Sequence, residues 1–228
     1  MCIRDSSQSL HAWFAHVPGL KVVMPTTPAD AKGLMLSAIF DDTPVVYLDH
    51  RWLHNARGHV PDGDYRVAIG QAEVVRAGSD VTLVGMSNMT IEALHAADHL
   101  AERGISCDVI DLRTINPLDW KTVFESVGKT KRLIALDSGW ATGSVAGEIV
   151  ARVALTMGDQ LKCNPGRIAL PDVPTPTSPA LTRGFYPGAE DIVRMIGGMF
   201  ARDLQPERVA VKHGGMHDVP GEWFKGPF

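Results

Sequence analysis

Hydrophobic and polar positions along the chain follow two alternating patterns, which predict strands separated by helices. Short continuous apolar runs at 20–25 and 45–48 are typical of strands that lie inside a parallel sheet. Segments with apolar residues at helical spacing, such as 27–40 and 88–103, lie between runs of this kind. Because strands joined through helices pack side by side in one direction, we expect an α/β fold with a mostly parallel sheet that is covered on both faces.

The same patterns place the individual elements. The predicted strands are 20–25, 45–48, 72–76, 81–86, 107–112 and 132–136, and the predicted helices are 7–16, 27–40, 88–103, 120–127, 144–157 and 189–201. The positions expected to share a helical face are Leu10, Trp13 and Phe14 on the first helix and, facing inward, Leu34, Ala38 and Ile39 on the second. Thr27 and Asn88 are expected to be N-caps, because their side-chain oxygens can accept from the free N–H groups of a first turn.

Periodicity is lost between residues 50 and 70, which predicts a connecting loop and a domain boundary near Tyr65. The expected units are the C-terminal part of a domain with its linker at 7–65 and a complete, smaller α/β domain at 66–204. Residues 205–228 contain Gly and Pro without periodicity and end in aromatic residues. They are either a loose terminus or a segment that docks on a partner subunit.

The first six residues do not match the rest of the chain. Residues 1–6 resemble translated adapter sequence and are expected to be an artefact, and the chain then opens directly on a core helix. We therefore expect the first domain to lack its front. No secretory leader is recognisable, and three scattered cysteines suit a reducing compartment, so the predicted location is cytoplasmic.

Composition excludes several classes of function. The chain is 45% hydrophobic and 21% charged, which is ordinary for a globular protein, and its formal net charge is −4. This balance argues against binding to nucleic acid, which favours clustered Lys and Arg. No apolar run approaches the roughly 20 residues that a membrane helix needs, so no membrane partner is expected.

Motifs for self-contained chemistry are absent from the sequence. There is no P-loop or dinucleotide fingerprint, and the run from Gly85 to Met89 lacks the second glycine of a nucleophile elbow. His11, His16 and the other histidines show no spacing that pairs them with a carboxylate at a zinc site, so simple hydrogen bonding is their expected role.

Blocks of residues resemble one known family in their order along the chain. They include AHVPGLKVVMP at 15–25, PADAKGL at 28–34, VIDLRTINPLD at 109–119 and PTPTSPAL at 174–181. These blocks resemble the β subunit of the E1 component of 2-oxoacid dehydrogenase complexes, a transketolase-like family of which pyruvate dehydrogenase E1 β is the typical member.

The resemblance implies a partial pyrimidine-binding domain followed by a transketolase-like C-terminal domain. It also implies thiamine diphosphate as cofactor, an α₂β₂ assembly in which the E1 α subunit mainly holds the diphosphate and its magnesium, and transfer of the acyl group to a lipoyl group on the E2 acyltransferase. The family's catalytic glutamate lies upstream of Ser7, and its active-site histidine would fall on Ser6. No catalytic or cofactor-binding residue is therefore carried over, and the fragment alone is expected to be inactive.

One metal site is also implied by the resemblance. Several family members hold potassium on backbone carbonyls at the end of the helix that matches 27–40, and the matching positions here are Ala38, Ile39, Asp41 and Thr43. A cation is reasonable there because a helix C-terminus exposes unpaired carbonyls and partial negative charge. An ordinary helix end satisfied by water is the alternative.

Two other functions stay open from the sequence. The chain could be a non-catalytic module that binds a subunit or E2, or belong to another transketolase-like enzyme such as a deoxyxylulose-phosphate synthase. The 2-oxoacid also stays open, with pyruvate as the expected substrate and branched-chain or acetoin-type substrates as alternatives.

Overall fold

The computed structural model describes residues 8–54, 56–176, 178–182 and 184–209. The strands are β1 (Lys21–Val23), β2 (Val45–Tyr47), β3 (Glu73–Arg76), β4 (Val81–Gly85), β5 (Cys107–Asp111), β6 (Thr114–Asn116), β7 (Leu133–Trp140) and β8 (Gly166–Leu170). The helices are α1 (His11–Ala15), α2 (Pro28–Ile39), α3 (Asn88–Ala101), α4 (Trp120–Thr130), α5 (Val145–Met157), α6 (Pro179–Thr182) and α7 (Ala189–Phe200), with 3₁₀ turns at Arg51–Leu53, Gly158–Gln160 and Pro206–Arg208.

The strands form two sheets. The larger one has five strands in the order β3-β5-β4-β7-β8, and only β3 runs antiparallel to its neighbour. The smaller one has three strands in the order β2-β1-β6, with β2 parallel and β6 antiparallel to β1. The predicted α/β fold with a mostly parallel sheet is therefore confirmed.

The core lies on both faces of the five-stranded sheet, as expected. Successive side chains of a strand point to opposite faces, so Leu83 joins a cluster with α3 and α7 while Val84 joins a cluster with α4 and α5. Val22 and Met24 extend the second cluster into the smaller sheet. Apolar packing therefore ties the two sheets together on one side.

The boundary near Tyr65 stays a prediction. The smaller sheet takes its third strand, β6, from residues beyond that point, and Met24 N donates to Arg113 O at 2.9 Å beside it. The two expected units thus share backbone hydrogen bonds. The predictions for residues 1–6 and for most of the tail lie outside the described residues.

Two of the apolar residues expected on buried helical faces point outward. Leu34 is fully buried, but Ile39 is 65% exposed and Trp13 is 72% exposed. The buried face of α2 is set by Leu34 and Gly33, because Val67 packs so closely on Gly33 that an added Cβ would lie 2.5 Å from Val67 Cγ2. Five residues beyond Leu34, Ile39 falls off that face.

Capping predictions succeeded at one helix and failed at another. Thr27 caps α2 as predicted, since its Oγ1 accepts from Asp30 N at 3.0 Å. Asn88 is the first residue of α3 rather than its cap; Ser87 stands at the cap position without a capping side-chain bond. The sequence pattern also did not predict β8, because Pro165 and Gly166 are typical of a turn and only part of the strand is buried.

Candidate functional site

The strand order marks one edge of the larger sheet as a place for ligands. From β4 the chain returns through α3 to β5 on one side, and from β7 it returns through α5 to β8 on the other. In open parallel sheets ligands bind in the crevice beyond the carboxyl ends of strands whose connections diverge in this way. The carboxyl ends of β4 and β7 are therefore the expected ligand-binding region.

A cleft of about 990 Å³ opens at the carboxyl end of β7. Its walls come from α1, β6, the end of β7 and the first turn of α5, with Trp13, Trp120, Trp140, His16, Glu148 and Arg167 among the lining residues. A volume of this size is at the upper end of those that hold small ligands. The exposed indole of Trp13, which the sequence pattern assigns to an apolar stripe, belongs to this lining.

A buried contact between a histidine and an aspartate lies at the floor of this cleft. His11 Nε2 is 2.9 Å from Asp137 Oδ1, and both side chains are fully buried. Asp137 also accepts from Gly139 N at 2.7 Å and Ala146 N at 3.1 Å. Burial alone would raise the pKa of Asp137, but the attraction of His11 and these two N–H groups lower it below its usual range. The pair thus fixes α1 against the sheet.

Close packing around the pair requires a glycine. A Cβ on Gly139 would lie 3.2 Å from Asp137 Oδ1, 3.2 Å from His11 Cε1 and 3.3 Å from Ser9 O. The small residue therefore lets the imidazole lie directly over the strand. Sequence reasoning treated His11 as simply hydrogen-bonded and did not single out Asp137, although an acidic residue inside an apolar strand run is a signal for a paired carboxylate.

A second polar cluster lies at the carboxyl ends of β4 and β5. Asp111 is fully buried, and three atoms around it have no hydrogen-bond partner in the described part of the chain: Ser87 Oγ, Asn88 Oδ1 and Asp111 Oδ2. Burial chiefly, with Asp30 nearby, raises the pKa of Asp111 to about 7. Thr26, in the segment between β1 and α2, reaches this cluster and donates from Oγ1 to Ser87 O at 3.3 Å.

The turn at Ser87 has an unusual backbone. Its φ of 50° and ψ of −129° are strained for a residue other than glycine, and they join a strand directly to a helix. Such strand-to-helix turns carry the nucleophile in some hydrolases. Ser87 has no exposed surface, however, and no described histidine donates to it or accepts from it, so the geometry does not make it a nucleophile.

The four residues expected to bind potassium lie at the end of α2 and just beyond it. The helix ends at Ile39, and no described backbone N–H donates to the carbonyls of Ala38 or Ile39. The Asp41 side chain already has partners: Lys21 Nζ donates at 2.6 and 2.8 Å and Thr43 donates from its hydroxyl at 2.6 Å. Chiefly through the Lys21 bond, the pKa of Asp41 falls to about 2.

Other polar residues from the sequence have structural roles. His99 Nε2 bonds to Leu204 O at 2.8 Å and joins α3 to the end of α7. His50 Nδ1 accepts from Trp52 N, and burial, with repulsion from His54, lowers the pKa of His50 to about 4. Cys107 is buried in β5, and burial raises the pKa of its thiol to about 12.

The described residues contain no group of three His, Cys, Asp or Glu side chains able to hold a metal ion. At the cleft, Asp137 is committed to His11, which leaves Glu148 as the carboxylate without such a pairing on its lining. These side chains by themselves do not fit a metal-bound diphosphate. Within the ranges that the structure covers, no helix is long and apolar enough to cross a membrane.

Two family models match the chain. The transketolase C-terminal domain matches residues 70–192 and the transketolase pyrimidine binding domain matches residues 4–55. The first match alone covers more than half of the chain. The chain therefore belongs to the transketolase family.

Individual similar proteins show which type of transketolase-family subunit the chain resembles. The β subunit of acetoin:2,6-dichlorophenolindophenol oxidoreductase from Cupriavidus necator is 42% identical over 82% of this chain and 55% of its own length. The pyruvate dehydrogenase E1 β subunits of Ascaris suum (mitochondrial) and Rhizobium meliloti are 42% and 43% identical over 85% and 82% of this chain, and 55% and 41% of their own lengths. The predicted resemblance is confirmed: this is an E1 β-like protein, and it spans about half the length of the relatives it matches.

A solved structure shares the fold. A split-gene transketolase, described as an inactive β4 tetramer, superposes with a TM-score of 0.69 at 23% identity, over 84% of this chain and 60% of that one. At this identity the likeness concerns the fold alone.

Proposed function

We propose that this chain serves in the β subunit of a thiamine diphosphate-dependent E1 component that oxidatively decarboxylates a 2-oxoacid and passes the acyl group to lipoyl-E2. The observation that carries this proposal is the identity of 42–43% to E1-type β subunits over more than four fifths of the chain. Pyruvate is the proposed substrate, because pyruvate dehydrogenase subunits recur among the relatives. An acetoin-type substrate is the alternative that the Cupriavidus necator relative suggests.

The proposed partner is an E1 α subunit in an α₂β₂ assembly. The α subunit would hold the cofactor's diphosphate and magnesium. Trp13, Ile39 and Phe40 are large apolar side chains that are more than half exposed in the chain alone. Such surfaces are typical of subunit interfaces. A cytoplasmic location is part of the same proposal.

Potassium at the end of α2 is proposed as a supporting ion. Free carbonyls of Ala38 and Ile39 at the negative end of a helix dipole support it. The ammonium of Lys21 already neutralises Asp41, so the ion would be held by backbone carbonyls, those of Asp41 and Thr43 included, rather than by the carboxylate. A rise in melting temperature in potassium chloride, compared with choline chloride at equal ionic strength, is the expected result.

Association with an α subunit tests the proposal. We expect the chain to co-purify with the α subunit of a related pyruvate dehydrogenase, and to show no pyruvate-dependent dye reduction above background with thiamine diphosphate and magnesium. The Rhizobium meliloti β subunit with the same α subunit is the matched control and should be active. Failure to associate while the control associates contradicts the proposed partner, and measurable turnover contradicts the proposed inactivity of the chain alone.

A chimera tests the reaction itself. Fusing the preceding part of the control β subunit ahead of Gln8 should restore turnover, and comparison of pyruvate with acetoin then identifies the substrate class. No turnover from a folded, α-bound chimera would contradict a role for these residues in an active E1 enzyme.

A non-catalytic assembly module is the second candidate. Exposed apolar side chains such as Trp13, Ile39 and Phe40 would serve binding to another subunit with or without catalysis. Binding of the chain to an E2 subunit-binding domain, without restored turnover in the chimera, would favour this role. The similarity to E1 β subunits favours either role over a deoxyxylulose-phosphate synthase.

A further inference from the structure

Three aspartates are buried in the five-stranded sheet, and two of them have donors for both carboxylate oxygens. Asp108 Oδ1 accepts from Gly78 N and Lys129 Nζ, both at 2.8 Å, and its Oδ2 accepts from Ser126 Oγ. Asp137 is paired with His11 and accepts two backbone N–H groups. Both oxygens of each of these two carboxylates therefore have hydrogen-bond donors.

Asp111 differs from both. Its Oδ1 receives two long bonds, from Thr90 Oγ1 and Arg113 N at 3.3 Å each, and no donor of the described residues bonds to its Oδ2 with good geometry. The Thr26 hydroxyl also favours the charged form, but burial outweighs it. The guanidinium of Arg113 donates instead to Asp30 at 3.1 Å and Glu73 at 2.8 Å. A fully buried carboxylate with one bare oxygen and a like charge nearby is poorly placed to remain ionised.

The position of Asp111 is as important as its environment. It ends β5 at the contact between the two sheets, where Met24 N donates to Arg113 O and Thr26 donates to Ser87 O. Arg113 and Ser87, on either side of it, both have positive φ, at 56° and 50°. A change of charge here would act on a strained contact that joins the smaller sheet and α2 to the larger sheet.

We propose that the Asp111 carboxyl is protonated in the folded chain near neutral pH, and that loss of this proton loosens the contact between the two sheets. The groups that act on it besides burial are the Thr26 hydroxyl and Arg113, which favour ionisation, and Asp30 on α2, which disfavours it. Burial is the largest cause and raises the pKa of Asp111 to about 7. A protonated Oδ2 also becomes a donor in a cluster where Asn88 Oδ1 is an unpartnered acceptor within the described part of the chain.

The sign of the pH dependence is given by linkage. The ordinary pKa of an aspartate is 3.8, and the folded chain retains the proton of Asp111 to about pH 7. Between these values the folded state binds more protons than the unfolded state, so stability falls as pH rises. Below about pH 4 and above about pH 7 the free energy of unfolding no longer changes with pH because of Asp111.

Urea unfolding of the full chain from pH 5 to pH 8 tests the proposal, with Asp111→Asn as the neutral, isosteric variant. We expect the ratio of the unfolding constants, wild type over variant, to increase at least tenfold across this range, because each pH unit contributes up to about tenfold. A ratio constant within twofold would overturn the proposal. Asp111→Leu serves as a second neutral variant if the amide does not fold.

Hydrogen exchange then distinguishes the contact from global stability. The Met24 amide, which donates to Arg113 O, should exchange faster in the wild type than in Asp111→Asn at pH 8 and equally fast at pH 5. The Lys131 amide, which donates to Val127 O at the end of α4, is the control and should not differ between the two proteins under conditions where both are folded. Equal Met24 rates at both pH values would contradict loosening at the contact.

Discussion

β5 carries a buried aspartate near each of its ends, and the two aspartates differ in how completely their oxygens are hydrogen-bonded. At the amino end, Asp108 belongs to a closed network in which Thr82 bonds to Ser126 and Thr130 at 2.7 Å each and Lys129 neutralises the carboxylate. At the carboxyl end, Asp111 has a bare oxygen and strained neighbours. A satisfied buried network makes one packing unique, whereas an unsatisfied one leaves the region responsive to protons or ligands.

The difference between Asp108 and Asp111 follows from which end of the parallel strands each residue occupies. The amino ends lie away from the crevice that diverging connections create, so polar groups there are expected to stabilise the fold. The carboxyl ends contain the cleft, the His11–Asp137 pair and the contact between the two sheets. The effects of substitutions on the free energy of unfolding should therefore differ between the two ends in size, in sign and in their dependence on pH.

The largest effect is expected at the amino end from Gly78→Ala. The added Cβ would collide with the backbone of Cys107, and Gly78 N also donates to Asp108. We expect a loss of about 4 kcal/mol in the free energy of unfolding, measured in urea, because the backbone itself must move. Gly158→Ala is the matched control, since no atom lies within 4 Å of its Cβ position, and it should change stability little.

Asp108→Ala is expected to cost about 3 kcal/mol, because Ser126 and the N–H of Gly78 lose their acceptor inside the protein. Lys129→Met should cost much less, since the Lys129 side chain is about half exposed. Urea unfolding at pH 7 compares the two variants. Equal losses would show that the ion pair, and not the buried network, stabilises this end.

Asp137→Asn is expected to cost about 2 kcal/mol at pH 7, because it removes the charge that faces buried His11. The pKa of Asp137 is lowered in the folded chain, so its contribution is present above the ordinary value of 3.8 and is lost as pH falls through the folded value. Thermal melts at pH 7 and pH 3 should show the difference between wild type and variant shrinking in acid. A constant difference would contradict the lowered pKa.

The smallest effect, and the one of opposite sign, is expected from Ser87→Gly. Glycine accepts the positive φ without strain, and the lost Oγ has no partner in the described residues. We expect a gain of up to about 1 kcal/mol in urea unfolding. Ser144→Gly, at the helical cap whose Oγ accepts from Gly147 N, should instead be neutral or destabilising. A large loss at Ser87 would mean that its hydroxyl is needed.

Much of the fold could be predicted because strands and helices differ in the period of their apolar residues. The buried runs that form β4, β5 and β7, and the cap at Thr27, are local signals. The features that the sequence could not show depend on distant partners. Ile39 has an apolar side chain, but whether it is buried depends on where Val67 packs on α2.

The candidate site was harder to predict for the same reason. His11 and Asp137 are 126 positions apart, and neither belongs to a motif that would connect them. Asp111 stands inside a block that carried the family resemblance, yet its bare oxygen depends on Arg113 turning toward Asp30. The sequence does not show that Arg113 pairs with Asp30 rather than with Asp111.

The central claim is that two fully buried aspartates of one sheet, Asp111 and Asp137, differ in charge because only one of them has donors for both oxygens. Side-chain carbonyl ¹³C shifts followed by NMR from pH 5 to pH 9, with Asp111→Asn for assignment, test it directly. The account predicts a titration of Asp111 centred near pH 7, in line with its raised pKa, and no titration of Asp137 in that range. An Asp111 signal that stays at the ionised position throughout would contradict it.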